Sequence, residues 1–369
     1  MSFLRCIPSV FVIGRDYEIL LNLTANGLCF IKVGDEIYYE ENSGVLPSES
    51  RTVVKIRIPQ AVLNEAKKYT VIFRETNERK SYHSTYKTLL TETFAFKPLE
   101  KTEDIHVYHL ADVHYRFEEA KQTAAYFGDD TDLFVVNGDI GEAETEKNYF
   151  DVCEFIGEIS KGEIPIVFVR GNHDTRGRLA ELYSKYFPTD GKKTYFTFEI
   201  GCLNGVALDC GEDKVDTHVE YDATEGVPEE YRGSNRFHAY RRAQLAFLKE
   251  VKLETEKKIP FAISHVCPMM TTYKAGDIFD LERELYTEWN KELECMGVKF
   301  MLCGHFHKAF ILQPGNERSL IEHKYPVVVG SLLDKDLWGA AITLNKDKML
   351  VQFTNKAREA VETYELDLS

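Results

Sequence analysis

No run of apolar residues in this chain approaches the ~20 that a membrane-crossing helix needs, so no helical span is expected. Eight cysteines, at positions 6, 29, 153, 202, 210, 267, 295 and 303, form no C-x-x-C pair. Scattered thiols of that kind argue against a disulfide framework and for a reducing, cytoplasmic location. Basic residues are in deficit, with 45 Lys and Arg against 60 Asp and Glu and a net charge of −15. The deficit is uneven: residues 1–98 hold 13 basic against 11 acidic side chains, and the remainder 32 against 49. Nucleic acids are gripped through basic grooves, so a nucleic-acid partner is not expected and a small substrate is. The N-terminal run 7–13 contains Pro8, is followed by Asp16 and Glu18, and lacks a small-residue cleavage site. It reads as a first strand rather than a secretion signal. Internal repeats and low-complexity segments are absent as well.

What is present is a chain of 369 residues, 44% hydrophobic and 28% charged, ordinary for a globular protein and long enough for two domains. Up to residue 98 it reads as β, with short segments at 11–23, 28–39, 52–58, 69–73 and 91–96 separated by turn signals such as Asn26-Gly27 and Gly34-Asp35. Regular short strands of this kind predict a small antiparallel sandwich over 1–98, accessory to the rest. From 99 to 369 strands and helices alternate. Strands are expected at 104–110, 133–136, 165–169, 195–208, 261–264, 299–303, 325–332, 339–344 and 349–353. Helices are expected at 117–127, 144–159, 177–187, 240–253 and 281–296, with Tyr149, Val152, Phe155 and Ile156 on one face of the second. Strands apolar on both faces, alternating with helices, indicate a layered α/β domain. The polar stretch 211–238 shows no period and is a candidate flap, or a plain surface insertion.

Five short motifs follow apolar strands in order: Asp112-Val113-His114, Gly138-Asp139, Gly171-Asn172-His173-Asp174, His265, and Gly304-His305-Phe306-His307. Asp112 and His114 are two apart, so on an extended backbone they share a side, and His305 and His307 repeat the arrangement. Asp139 offers two carboxylate oxygens and is the natural bridge between two cations. Asn172 adds a neutral oxygen and His265 an imidazole. Glycines at 138, 171 and 304 suit backbone that turns close to a metal. The donors are oxygen and imidazole without thiolate, which suits Mn, Fe or Zn. Two such ions about 3.5–4 Å apart are standard apparatus for displacement at phosphorus.

With these motifs in this order over residues 112–307, the chain resembles the calcineurin-like metallophosphoesterases, whose pattern is D-x-H, G-D, G-N-H-[D/E], H, G-H-x-H. The resemblance implies an αββα two-sheet sandwich and two divalent metal ions. One would take Asp112, His114, Asp139 and His307; the other Asp139, Asn172, His265 and His305. It implies hydrolysis of a small phosphomonoester or phosphodiester by in-line attack of a metal-bridging hydroxide. His173 would assist the leaving group, and Asp174 would orient His173. An N-terminal β-sandwich is also reminiscent of purple acid phosphatases. Those carry a tyrosine three residues after the bridging aspartate, where this chain has Glu142, so their iron-binding tyrosine is missing.

Arg170, Arg241 and Arg242 are open to a substrate-phosphate role, with ordinary structural roles preferred, and Cys267 and Cys303 read as small buried strand residues. His83, His106, His109, His218, His238 and His323 match no motif and read as structural or solvent-facing, His218 being a candidate substrate contact within the flap. Substrate choice would lie with the loops at 211–238 and 268–280. A non-catalytic, protein-binding use of the same fold is the main alternative, disfavoured because no ligand is missing. A nuclease is a further one, disfavoured by charge, and hydrolysis of a non-phosphate bond is the last.

Overall fold

The computed structural model describes residues 2–45, 51–214, 233–234, 236–270 and 282–368. Most of the candidate flap, including His218, and the 271–280 part of the second loop fall outside the described residues. The first 98 residues form β1 (Ser9–Ile13), β2 (Asp16–Asn22), β3 (Gly27–Val33), β4 (Glu36–Tyr38), β5 (Val53–Pro59), helix α1 (Gln60–Ala66), β6 (Lys68–Glu78), β7 (Thr85–Tyr86) and β8 (Leu90–Ala95). Alternation follows with β9 (Ile105–Leu110), α2 (Phe117–Ala124), β10 (Leu133–Asn137), α3 (Glu146–Ser160), β11 (Ile166–Val169) and α4 (Tyr183–Tyr186). Next come β12 (Phe196–Ile200), β13 (Leu203–Leu208), α5 (Arg236–Glu250), β14 (Ile259–Ser264), α6 (Arg283–Cys295) and β15 (Phe300–Cys303). The chain finishes with β16 (Phe310–Leu312), β17 (Val327–Val329), β18 (Gly339–Leu344), β19 (Lys348–Thr354) and β20 (Ala360–Asp367).

Among the described residues the strands form three sheets. The longest has the order β20-β19-β18-β9-β10-β11-β1-β2-β5, the second β12-β13-β14-β15-β17-β16, and the third β4-β3-β6-β7 with β8 on β6. Side chains alternate between the faces of a strand, and that alternation builds the layers. Leu133 and Val135 of β10 and Val167 and Val169 of β11 enter a central core with Phe261 and Ile263 of β14 and Leu302 of β15. Their neighbours Phe134, Val136, Ile166 and Phe168 face the other way, against Val152, Phe155 and Ile156 of α3. On the second sheet Ala262 and Met301 face Leu248 of α5 and Trp289 of α6. The order helix, sheet, sheet, helix is therefore set by residues apolar on both faces. Thr145 starts α3 with a capping box, its side chain accepting from the Asn148 backbone while Asn148 reaches back to the Thr145 N–H.

The N-terminal region is sheet-rich as expected, but its two sheets have different fates. β3, β4, β6, β7 and β8 form the small third sheet, whereas β1, β2 and β5 extend the longest one. Phe11 of β1 registers in parallel with Ile166 of β11, so this sheet runs across the expected boundary at 98/99. The physical cause is the edge: without β1, the fully buried strand β11 would present unpaired N–H and C=O groups. The expected single strand 11–23 is a hairpin turned at Gly14 and Arg15, with Gly14 at φ 56°. The expected helix 177–187 is reduced to a 3-10 turn and the four-residue α4.

A fragment of residues 99–369 should therefore aggregate, through the exposed β11 edge, where the full chain does not. Size-exclusion chromatography of the two checks this, and a monodisperse fragment with full-chain thermal stability would contradict the pairing argument.

Candidate metal centre

Strands β9, β10, β11, β14 and β15 each hand the chain to a ligand-bearing loop at their carboxyl ends, the edge of an open α/β sheet where ligands bind. The backbone there is unusual. Asp112 (φ 52°), His114 (φ 44°), Asp139 (φ 54°), His305 (φ 76°) and His307 (φ 51°) all occupy the left-handed region. Such conformations cost about 1–3 kcal/mol each for non-glycine residues and persist only where the surroundings fix them. Close approach adds to the constraint. A Cβ on Gly138 would lie 2.4 Å from the Gly171 nitrogen, and one on Gly171 would lie 2.2 Å from Asp139 Oδ1.

The side chains of six predicted ligands fall into two groups. Asp112, His114 and His307 bring ligand atoms within 4.8 Å of one another, as do Asp139, His265 and His305. His114 Nε2 lies 3.1 Å from His307 Nε2 and 3.9 Å from Asp139 Oδ2, so Asp139 stands between the groups. His265 Nε2 lies 3.1 Å from Asp139 Oδ2 and 3.7 Å from Asp112 Oδ1. Its other nitrogen, Nδ1, is 2.6 Å from the Asn137 carbonyl, which turns Nε2 toward the carboxylates. Asp112 is held in turn by the backbone N–H of His305 at 2.9 Å.

Two observations test whether cations suit these residues. Both amide atoms of Asn172 are buried without a hydrogen-bond partner. Buried polar atoms are rarely left so, and an unfilled coordination role accounts for them. The charges point the same way. Burial pushes the Asp112 carboxyl up, whereas His265 and the other nearby imidazoles hold Asp139 below the usual carboxylate range against the effect of burial. Burial alone would lower His265, yet Asp139 and Asp112 raise it to about 10. Burial takes His114 and His305 down to about 4 and lowers His307, so these imidazoles are neutral and fit to ligate. A donor set of carboxylate, amide and imidazole around two positions fits two divalent ions.

Asp174 does not meet its sequence expectation. Its carboxylate accepts the backbone N–H groups of Asp139, Ile140, Gly141 and Gly171 at 2.7–3.3 Å, rather than a hydrogen bond from His173. It ties the β10 loop to the β11 loop, because four converging N–H groups outcompete one imidazole. The His173 N–H donates to Asp139 Oδ1 at 2.8 Å. The His173 ring has Arg176 Nη1 2.9 Å from Nε2 and Glu142 Oε1 3.5 Å from Nδ1. Glu142 thus sits beside His173, at the position where purple acid phosphatases have their tyrosine.

Arg170 is nearly buried and makes a two-point pair with Asp209, Nε to Oδ2 at 2.7 Å and Nη2 to Oδ1 at 2.8 Å. Arg241 is fully buried and donates to the carbonyls of Cys210 and Glu212, both at 2.7 Å. Both arginines pin the segment 209–213, and Arg170 also lines the cavity beside the centre. Arg242 donates to His238. His109 and His323 are buried structural residues hydrogen-bonded to Asn137 and to Ser319 and Tyr325, and His106 stacks on Phe127. Three site residues had no sequence signal of their own. Arg176 lies beyond the G-N-H-D motif, and Glu212 and Asp213 sit at the start of what reads as a flap. The preceding Asp209-Cys210-Gly211 is the one local hint.

A cavity of about 550 Å³ opens beside the centre, bounded by Asn172, Arg176, Gly211, Glu212 and Phe237 among others. A larger one, about 720 Å³, lies at the opposite ends of the strands, between Val251, Met296, Lys299 and Tyr325, away from every ligand.

Fold and side-chain clusters together describe a layered α/β protein with two groups of residues at its sheet rim that could hold metal ions. The sequence pattern of the calcineurin-like phosphoesterases matches residues 105–309, more than half of the chain, and the chain belongs to that family. Similar solved structures include the purple acid phosphatase PPD1 from yellow lupin (Lupinus luteus) seeds, at TM-score 0.64 and 12% identity, over 98% of this chain and 74% of that one. Another is PhoD, at TM-score 0.54 and 10% identity, over 98% of this chain and 88% of that one. At such identities the likeness is one of fold. No curated protein matches the chain by sequence.

A cation bound here would displace protons from His265 and from the burial-raised Asp112, so metal uptake near neutral pH should release protons and affinity should fall as pH drops. Titration of the chelator-treated protein with Mn2+ in the presence of a pH indicator measures both. Uptake without proton release, and with constant affinity between about pH 6 and 8, would contradict the assignment. Removing the Asp174 carboxylate should also cost more than the about 1–3 kcal/mol of one orphaned buried group, since four donors lose their acceptor together. Urea unfolding of Asp174→Ala reads this directly, and a midpoint equal to wild type would contradict it.

Proposed function

We propose that the chain is a metal-dependent hydrolase of a small phosphomonoester or phosphodiester. The observation that carries this reading is the convergence of Asp112, His114 and His307 on one position and Asp139, His265 and His305 on an adjacent one. Asn172 would complete the second set, and Asp139 would serve both. Two divalent ions there, Mn, Fe or Zn by donor chemistry, would supply an activated water and neutralise charge on the phosphoryl oxygens.

The chain's own residues would do the rest. Left-handed backbone at five ligand positions fixes where the donors point, so the site is ordered before substrate arrives. His173, 28% exposed and next to Asp139 through its backbone N–H, would assist the leaving-group oxygen. Asp174 would act at one remove, by fixing the two loops that carry Asp139 and Asn172. The 550 Å³ cavity would accept the alcohol part of a small ester, and the net charge of −15 disfavours long polyanions. Residues 1–98 would form an accessory β unit whose strands β1, β2 and β5 brace the catalytic sheet. A cytoplasmic location is supported by eight free cysteines, and no helix among the described residues is long and apolar enough to cross a membrane. The protein-binding alternative is disfavoured because all seven ligand positions are filled by competent donors.

The test is hydrolysis of p-nitrophenyl phosphate and bis-p-nitrophenyl phosphate with added Mn2+ against a chelator-treated control. Chelator-sensitive turnover is expected, with Asp139→Asn losing it and His173→Ala retaining metal while losing rate by about 10²–10⁴-fold on an unactivated ester. Absence of turnover by metal-loaded protein on any phosphoester would overturn the proposal.

A further inference from the structure

Arg176 stands outside every motif, yet each nitrogen of its guanidinium is engaged. Nε donates to Glu212 Oε2 at 3.1 Å, Nη2 donates to Glu212 Oε1 and to Asp213 Oδ1, and Nη1 lies 2.9 Å from His173 Nε2. Its two anchors are buried, Glu212 at 4% and Asp213 at 7% exposure. They belong to the segment that Arg170 and Arg241 pin from behind. A guanidinium has only donors to offer. The nitrogen it meets on His173 must therefore carry the lone pair, and the ring hydrogen must sit on Nδ1. That Nδ1 is buried and has no hydrogen-bond partner, the nearest carboxylate oxygen being Glu142 Oε1 at 3.5 Å. The half-exposed Glu142 closes this N–H off from outside hydrogen-bond geometry, so the donor opens to a substrate oxygen where Glu142 yields.

We infer that Arg176, clamped by Glu212 and Asp213, is the positioning residue for His173, fixing the tautomer whose Nδ1–H is offered to the leaving-group oxygen of the substrate. This rests on the hydrolase reading above. In that reaction the bond from phosphorus to the leaving oxygen breaks as the oxygen of water bonds to phosphorus. The Nδ1–H hydrogen bond supports charge developing on the leaving oxygen, and the proton lost by the attacking water is regained by the leaving alkoxide through solvent. The carboxylate pair keeps the guanidinium from swinging toward substrate phosphate, so Arg176 acts through His173 and not on the ester itself.

The consequence is selectivity for leaving groups. A donor to the leaving oxygen matters greatly for phenyl phosphate and little for p-nitrophenyl phosphate, whose leaving group needs no help. With Mn2+ present, Arg176→Met should lower kcat on phenyl phosphate by about 10²-fold, the scale of one lost transition-state donor. On p-nitrophenyl phosphate it should lower kcat only a few-fold, with KM and metal content held on both. Arg176→Lys, which keeps a donor but loses the two-point grip on Glu212, should recover part of the loss. If Arg176→Met does not fold, Glu212→Gln loosens the same clamp and should show the same selectivity in weaker form.

His173→Ala is the control. Equal losses on both esters in His173→Ala would sink the leaving-group role of His173 itself. Selective loss in His173→Ala but not in the Arg176 and Glu212 variants would overturn the inference about Arg176 alone. A readout without turnover is the 15N spectrum of chelator-treated protein labelled at histidine. The His173 ring should show its hydrogen on Nδ1 in wild type, and a mixture of tautomers in Arg176→Met. A wild-type ring protonated on Nε2 instead would also overturn the inference.

Discussion

At the end of β10 the backbone turns through conformations that side chains disfavour, and the carboxylate of Asp174 ties that turn to the loop after β11. Four N–H groups from two loops meet on its two oxygens. One of the four belongs to Asp139, and Asn172 and His173 lie between Gly171 and Asp174 in the same loop. A single buried acid thereby sets the spacing of two candidate metal ligands and of the histidine beside them. The glycines follow from this closeness, since neither Gly138 nor Gly171 has room for a Cβ. Sequence motif and backbone geometry are two views of one packing problem.

The second constraint is charge. Asp112, Asp139 and Asp174 are all buried within a few residues of one another in space, among imidazoles that burial keeps neutral. Only His265 is driven strongly toward its cationic form, by the carboxylates that face it. Three buried acids among neutral imidazoles make a cluster of donors whose desolvation a cation supplied from outside would offset. The same segment that covers the rim, residues 209–213, is anchored from behind by Arg170 and Arg241 and carries the acids that grip Arg176. Structural arginines and the arginine beside His173 thus form one network, with the buried pairs fixing where the partly exposed one can go.

Much of this was legible in the sequence because the ligand chemistry sits at strand ends, where an apolar run followed by a short polar motif is an unambiguous pattern. The layered α/β arrangement was legible for the same reason. Less visible was anything that depends on long-range pairing. The hairpin at Gly14 and Arg15 is hidden because both its strands are apolar, and the attachment of β1 to β11 joins residues far apart in the chain. Strand β16, three residues long, is too short to announce itself, and β20 carries too few apolar residues, although it completes an edge of the longest sheet. Asp174 read as a partner for its neighbour His173, since sequence adjacency suggests contact. The backbone donors that claim it come from another loop. Arg176 was invisible because a lone arginine after a motif has no pattern until Glu212 and Asp213 are folded against it.

The measurement that bears most directly on the central claim is the number of metal ions held per chain. Elemental analysis of protein reconstituted with excess Mn2+ and freed of unbound metal would give it without reference to any substrate. Two ligand groups sharing Asp139 predict a stoichiometry of two. A saturated chain that holds one ion or none would contradict the account of this site.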